Sequence, residues 1–421
     1  MRAARGLTPY AIVSIPAMSA AITVMAGLPE LNAGFYWACR FPLMDPCALV
    51  DIKDGANSRR IFIVRDIEME RSRAHVLDSE IRCPRDFTPA GGLSGDRELA
   101  TAQALAECVR RAGATSVRSD RSLGLVYIDA MRKAGIAVEL DPDLAVLGRR
   151  SKDAQEIGFL QEAQRVTEAA VRIGCEMVAN AHAGADGGLL CGGGLASSGG
   201  LASSGTPLTC ELVSQAIVTF LASQCYDLAP PIVASGPQGH DCHDRGRGQI
   251  RTGEPVIIDI FPRNRATLYN GDCTRCVVHG EIPDEVSRMH SAVVEAKRAA
   301  IAALRPGVTG DAVHQITVDS LKRAGYPFNS GSAPEGAPDS WCGLVHGTGH
   351  GIGLSVHEPP LLDFKGVALV EGDVVTVEPG LYCRSIGGIR LEDMLVVTKD
   401  GPRNLNSLPE GLCWKQSQGG T

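Results

Sequence analysis

The sequence has no block of lysine or arginine, and its formal net charge is -7. Both features argue against binding nucleic acid through phosphate contacts, which takes clustered basic residues. Past the N-terminal stretch there is no apolar segment long enough to span a bilayer, so no membrane anchor is expected. Cysteine is plentiful, at 14 residues, but it lacks the spacing of a disulfide framework, and free thiols in a reducing compartment are expected. Cys273 and Cys276 form a C-x-x-C with no second pair at zinc-finger distance, which excludes the common structural zinc module. The glycines around His350 lack the helix that must directly follow a dinucleotide-binding loop; Val-His-Glu-Pro-Pro follows instead.

What is present is a globular composition, 44% hydrophobic over 421 residues, enough for two domains. Residues 1–150 carry a balance of +2 and residues 151–421 one of -9. Two bound dications would offset four of the excess acids of the second part. Arg2 and Arg5 precede a mostly apolar run from Tyr10 to Met25 with the outline of a secretory signal, but Pro16 and the serines interrupt it. Residues 1–26 are therefore read as an N-terminal extension and the protein as cytoplasmic, with a secretory signal as the alternative.

Residues 27–149 read as a small α/β domain. Strands are expected over 48–52 and 60–64 around a Gly-Ala-Asn turn, a helix from Asp96 to Ala112, and a strand or helix start at 123–128. This part offers no cluster of His, Cys or paired acids. Residues 150–421 form the second domain. Ser151 has capping-box character ahead of a helix running to about Asn180, with Ile157, Leu160, Ala163, Val166, Ala170 and Ile173 at spacings of three and four. A low-complexity stretch from Gly187 to Pro207, with Gly-Leu-Ala-Ser-Ser-Gly in tandem, reads as a surface loop. Helices are expected from Thr209 to Ser223, Asp284 to Leu304 and Asp311 to Ala324. Strands are expected at 232–234, 255–260, 272–279, 374–377 and 389–397.

The chemistry sits in this second part. His346-Gly-Thr-Gly-His350-Gly-Ile-Gly-Leu-Ser-Val-His357 places three histidines on a glycine-rich stretch, where backbone and ligand approach closely because no Cβ intrudes. Asp259 ends a strand of β-branched residues and Asp272 opens the next, so a hairpin can set the two carboxylates side by side. Two such acids repel unless a cation lies between them. Glu378 and Glu392 interrupt otherwise apolar strands and need partners; Arg390 offers Glu392 one as a salt bridge. Four carboxylates and one imidazole can hold a pair of divalent ions, and a predominantly oxygen donor set suits manganese, with cobalt or zinc as alternatives.

The order Asp259, Asp272, His350, Glu378, Glu392, with His243 upstream, resembles the pita-bread metallopeptidases: methionine aminopeptidases, Xaa-Pro aminopeptidases, prolidases and creatinase. The resemblance covers about Ser151 to Val397, and the preceding domain is similar in size and position to the creatinase-type N-terminal domain, which points to the Xaa-Pro branch. It implies an α+β protein, with a C-terminal pita-bread fold behind a smaller α/β domain, that hydrolyses an N-terminal Xaa-Pro bond with a bridging hydroxide at a dinuclear centre. The substrates implied are peptides with proline second, and the family often forms homodimers. By the same resemblance Asp259 chelates one metal, Asp272 and Glu392 bridge both, and His350 and Glu378 bind the other, with Glu378 also the proton acceptor. His243 and His357 act near the scissile bond; His346 and Arg390 shape the substrate pocket and hold the proline side or a terminal carboxylate. An inactive binding protein of this fold, or a metal-independent creatinase-type C–N hydrolase, is the alternative. Two departures stand out: the 259–272 connection is about two residues longer than the common form, and Cys276 stands where threonine is usual.

Overall fold

The computed structural model describes residues 21–54, 57–192, 203–227 and 229–415. It divides into two units, Met1–Ala145 and Val146–Thr421.

In the first unit, six strands form one mixed sheet in which Ala21–Gly27 lies between Cys47–Asp54 and Ser116–Ser119. Residues 21–26, set apart above as an extension, are thus most of an inner strand; residues 1–20 lie outside the described residues. Helices Arg97–Arg111 and Leu125–Lys133 cover one face through Leu105, Val109 and Met131, all fully buried. The ambiguous 123–128 stretch is therefore the start of a helix. Its Gly-Leu pair precedes a turn of residues that bury one side only, Tyr127, Ala130 and Met131.

In the second unit a short helix, Leu147–Arg150, precedes a 26-residue helix, Ala154–Ala179. Its N-cap is Asp153, not Ser151. The Asp153 carboxylate accepts from the Glu156 N–H at 2.8 Å, and Glu156 returns a bond to the Asp153 N–H at 3.0 Å. Ser151 lies outside the helix and donates to the Glu371 carbonyl. Three small antiparallel sheets follow, built from Ile232–Ser235, Pro255–Ile260 and Cys273–Val278; from Cys342–Gly343, Gly380–Cys383 and Gly387–Arg390; and from Glu358–Leu362, Gly349–Gly351, Val374–Val377, Asp393–Val396 and Arg403–Asn404. Helices 154–179 and Cys210–Ser223 pack on the first sheet, with Val171, Val213, Ile217 and Ile258 fully buried between them. Asp284–Ala303 and Gly310–Arg323 cover the other side through Val293, Val318 and Leu321. Most of the tandem glycine/serine stretch, residues 193–202, lies outside the described residues.

The expected strand 389–397 is two strands. Residues 387–390 pair with 380–383, whereas 393–396 pair with 374–377, and Leu391–Glu392 switch between the sheets. That break aims Glu392 at the space enclosed by the three sheets.

Candidate metal centre

Asp259 and Asp272 are placed by strand register. Asp259 faces Thr274 across the antiparallel pair. Side chains alternate along a strand, so Asp272, two residues before Thr274, projects to the same side as Asp259. The long connection forms its own turn, with Arg263–Asn264 pairing to Tyr226–Asp227 and the Asn264 carboxamide accepting from Ala266 and Thr267, and the register of the acids is undisturbed. Gln164, on helix 154–179, grips the Asp272 backbone on both sides, at 2.9 Å to its N–H and 2.7 Å to its carbonyl.

His350 lies on the short strand Gly349–Gly351. A Cβ at Gly349 would stand 2.1 Å from the Thr376 carbonyl oxygen, so only glycine lets the two backbones approach this closely. The approach brings the Thr376 hydroxyl to the His350 N–H at 3.1 Å and to Glu378 Oε1 at 3.3 Å. Glu378 is further fixed by its own N–H, which donates to the Thr348 carbonyl.

These elements bring Asp272, His350 and Glu392 together, one donor atom of each lying within 4.8 Å of the others. His350 Nε2 is 3.8 Å from Asp272 and 3.3 Å from Glu378. Its Nδ1 faces the Gly351 carbonyl at 3.1 Å; a proton held there leaves the Nε2 lone pair turned to the acids, the tautomer of a metal-ligating imidazole. Burial lowers the His350 pKa and so favours the neutral ring. Burial, then the Glu392, Asp259 and Glu378 charges, pushes Asp272 well above the carboxylate range; burial, then Glu378 and Asp259, does the same to Glu392. Glu378 is pushed up to about 7, chiefly by burial. Acids this strained by one another are what a cation relieves. The residues therefore fit divalent metal.

Glu392 is held from two sides. The Thr274 hydroxyl donates to its Oε2 at 2.8 Å, and its backbone N–H donates to the Thr274 carbonyl. Behind it, fully buried Arg275 donates to the Glu392 carbonyl and to Asp393, which also binds Lys297 at 2.7 Å.

Arg390 departs from expectation. It pairs with Asp259 at 2.6 Å, not with Glu392. Its guanidinium also donates to the Tyr382 hydroxyl at 2.8 Å and the Cys242 carbonyl at 3.2 Å. The reason is topological: Arg390 ends the strand before the sheet switch and Glu392 follows it, so the two point to different neighbours. With the guanidinium so engaged, Arg390 builds the wall of the site. The second Asp259 oxygen, Oδ1, is buried without a hydrogen-bond partner. His346 binds the Tyr382 hydroxyl at 2.7 Å, and burial with the nearby Arg390 charge lowers its pKa to about 3. His243 and His357 are exposed at the rim, His357 with its ring edge-on to His350 at 4.2 Å.

All nine expected site residues line one cleft of about 610 Å³. Sequence reading missed Thr274, Thr376 and Tyr382, which hold the ligands and the wall. A signal existed for Thr274 alone, two residues from Asp272 on the same strand face. Cys276 packs its thiol on the Arg390 backbone, accepting its N–H at 3.4 Å.

Comparison with known proteins bears on the fold and the family. The chain is 36% identical over 205 residues to the probable dipeptidase PepE of Mycobacterium tuberculosis, covering 48% of this chain and 49% of the relative. It is 32% identical over 183 residues to the Xaa-Pro dipeptidase of Pyrococcus furiosus, covering 43% and 48%. The chain thus spans about half the length of the relatives it matches in sequence. Among solved structures it is similar to the Xaa-Pro dipeptidase from Bacillus anthracis, with a TM-score of 0.72 at 23% identity over 93% of this chain and 94% of that one. The prolidase from Pyrococcus horikoshii aligns with a TM-score of 0.71 at 21% identity over 94% and 96%. These likenesses show the fold, an α+β pita-bread domain behind a smaller α/β domain. The sequence profile of metallopeptidase family M24 matches residues 159–399. With more than half of its length inside that match, the chain belongs to metallopeptidase family M24.

Proposed function

We propose that this protein is a metal-dependent exopeptidase that hydrolyses the bond between an N-terminal residue and a following proline. The observation that carries the reading is the convergence of Asp272, His350 and Glu392, buried and mutually unfavourable without a cation, at the floor of a cleft open to solvent. The names of the sequence relatives, a dipeptidase and an Xaa-Pro dipeptidase, support the substrate class.

Asp259, Asp272, His350, Glu378 and Glu392 would hold two divalent cations, with Asp272 and Glu392 shared between them. The mostly oxygen donor set favours manganese over cobalt or zinc. When bound, the cations supply Lewis-acid polarisation of the peptide carbonyl and acidify water. The protein's own groups do the rest. Glu378, whose Oε1 lies 3.3 Å from His350 Nε2 in the cleft, accepts the proton of the attacking water and returns it to the departing proline nitrogen. His243 and His357, at the rim, donate to the oxygen that becomes negative in the tetrahedral state. Arg390 keeps Asp259 and Tyr382 in place and, with His346 on Tyr382, shapes the wall against which the proline ring lies. Fourteen cysteines without a disulfide suit a reducing, cytoplasmic setting.

Hydrolysis of Ala-Pro and Ala-Pro-Ala by Mn(II)-loaded protein tests the reading. Release of alanine from either supports it, and absence of cleavage of both overturns it. A creatinase-type hydrolase would instead turn over without metal.

A further inference from the structure

One acid at the cleft takes no part in the centre. Asp363 lines the same cleft, with its side chain 41% exposed. Its Oδ1 accepts the Phe364 N–H at 2.7 Å, while no lysine or arginine pairs with it among the described residues. It lies against Gly347, where a Cβ would come within 3.0 Å of its Oδ2, beside the histidine-bearing segment. Hydrogen bonds and a close backbone approach hold the turn that carries it. The Gly310 N–H donates to the Val367 carbonyl and the Lys365 N–H to Asp311, and a Cβ at Gly310 would stand 1.9 Å from the Leu361 oxygen.

Behind Asp363 is a buried imidazole that the proposed reaction does not use. His314 is fully buried, edge-on to Phe328 and Phe364. Its Nδ1 meets the Thr348 hydroxyl at 3.0 Å; its Nε2 has no hydrogen-bond partner and lies 3.7 Å from Asp363 Oδ1. A buried ring nitrogen without a partner costs free energy, and this carboxylate faces it at 3.7 Å, with Asp311 the other acid acting on the ring. Burial lowers the pKa of the ring and favours its neutral form, so it lies behind Asp363 without cancelling the carboxylate's charge. Arg245 and Arg390 also line the cleft, and Arg390 is paired with Asp259, whereas Asp363 has no such pair among the described residues.

We propose that Asp363 is a specificity-determining residue that receives the cationic side chain of a lysine or arginine in the peptide substrate, with His314 as the positioning residue behind it. The inference rests on the exopeptidase reading and deepens it. The shared chemistry is a side-chain cation, which can come from the N-terminal residue or from the one after proline.

The test compares kcat/KM of the Mn(II)-loaded protein on Ala-Pro, Lys-Pro, Glu-Pro, Ala-Pro-Lys and Ala-Pro-Glu. We expect the basic peptide to lead its acidic counterpart by about 5-fold or more in one of the two sets, through KM, with the gap shrinking in high salt. The set that shows it names the subsite. Asp363→Asn should bring that ratio near one. His314→Phe, which keeps an aromatic ring between Phe328 and Phe364, should lower the ratio by raising KM for the basic peptide at retained kcat. Equal rates within both sets for the wild-type protein, or an unchanged ratio in Asp363→Asn, overturns the inference while leaving the exopeptidase reading intact. No hydrolysis of any of the five peptides overturns that reading and this inference with it.

Discussion

Arg390 Nη2 and Asp259 Oδ2 lie 2.6 Å apart across 131 residues of chain, and the other Asp259 oxygen is buried without a partner. The arginine thus presents one carboxylate oxygen to the cleft while neutralising the other. Replacing Arg390 by Met should cost about 3–5 kcal/mol of stability, because it strands a buried charge, and Arg390→Lys should recover little of it. Adding Asp259→Asn to Arg390→Met should return part of the loss. Chemical denaturation of the three variants checks this, and additive losses would contradict the pairing.

Asp272→Asn should have opposite effects with and without metal. In metal-free protein it removes an acid that burial and its neighbours force to take up a proton on folding, and should raise the unfolding midpoint by a few degrees, for about 1–2 kcal/mol. With Mn(II) the same change should abolish the metal-induced stabilisation and reduce Ala-Pro turnover at least about 100-fold. Thermal scans with and without metal, beside an activity assay, make the comparison. A variant that is destabilised without metal and still stabilised by it would count against the ligand assignment.

Glu378 sets a pH dependence for metal-free protein. Its folded pKa, about 7, lies above the ordinary 4.5 because of burial. The folded state therefore binds more protons, and the group's contribution to stability is fully present below about pH 4.5 and lost as pH rises through 7. The unfolding free energy should fall by on the order of 3 kcal/mol across that window. Glu378→Gln should make the slope shallower, with Asp272 and Glu392 supplying the remainder, and saturating Mn(II) should reverse it, since metal binds the deprotonated acids. A slope unchanged in Glu378→Gln would assign it elsewhere.

The Thr274 hydroxyl donates to Glu392 at 2.8 Å and accepts from Arg390 Nε at 3.4 Å. Thr274→Val keeps the shape and suits the strand, but frees Glu392 Oε2, and metal affinity should drop about 10- to 100-fold. A competition titration against a chelating dye measures it. Unchanged affinity would show that the backbone bonds of Glu392 suffice to hold it.

The parts of this site that could be read from sequence are those fixed by local spacing. The helix 154–179 followed from apolar residues three and four apart, and the placing of Asp259 and Asp272 on one face from a hairpin whose strands are neighbours in sequence. Contacts closed over long distances were opaque. Nothing near Arg390 distinguishes Asp259 from Glu392 as its partner; that choice depends on a strand leaving one sheet and joining another at Leu391–Glu392. Likewise the strand Gly380–Cys383 that carries Tyr382 was not among those expected, and only the fold shows its hydroxyl between His346 and Arg390. The cap at Asp153 was misplaced by two residues because Ser151 and Asp153 both suit the role, and Ser151 is drawn instead to Glu371.

Hydrolysis of Ala-Pro by one preparation, assayed after metal stripping and again after reloading with Mn(II), bears most directly on the centre formed by Asp272, His350 and Glu392. The account predicts no release of alanine from stripped protein, full release after reloading, and neither in Glu392→Ala. Equal turnover before and after reloading, or turnover by Glu392→Ala, would contradict it.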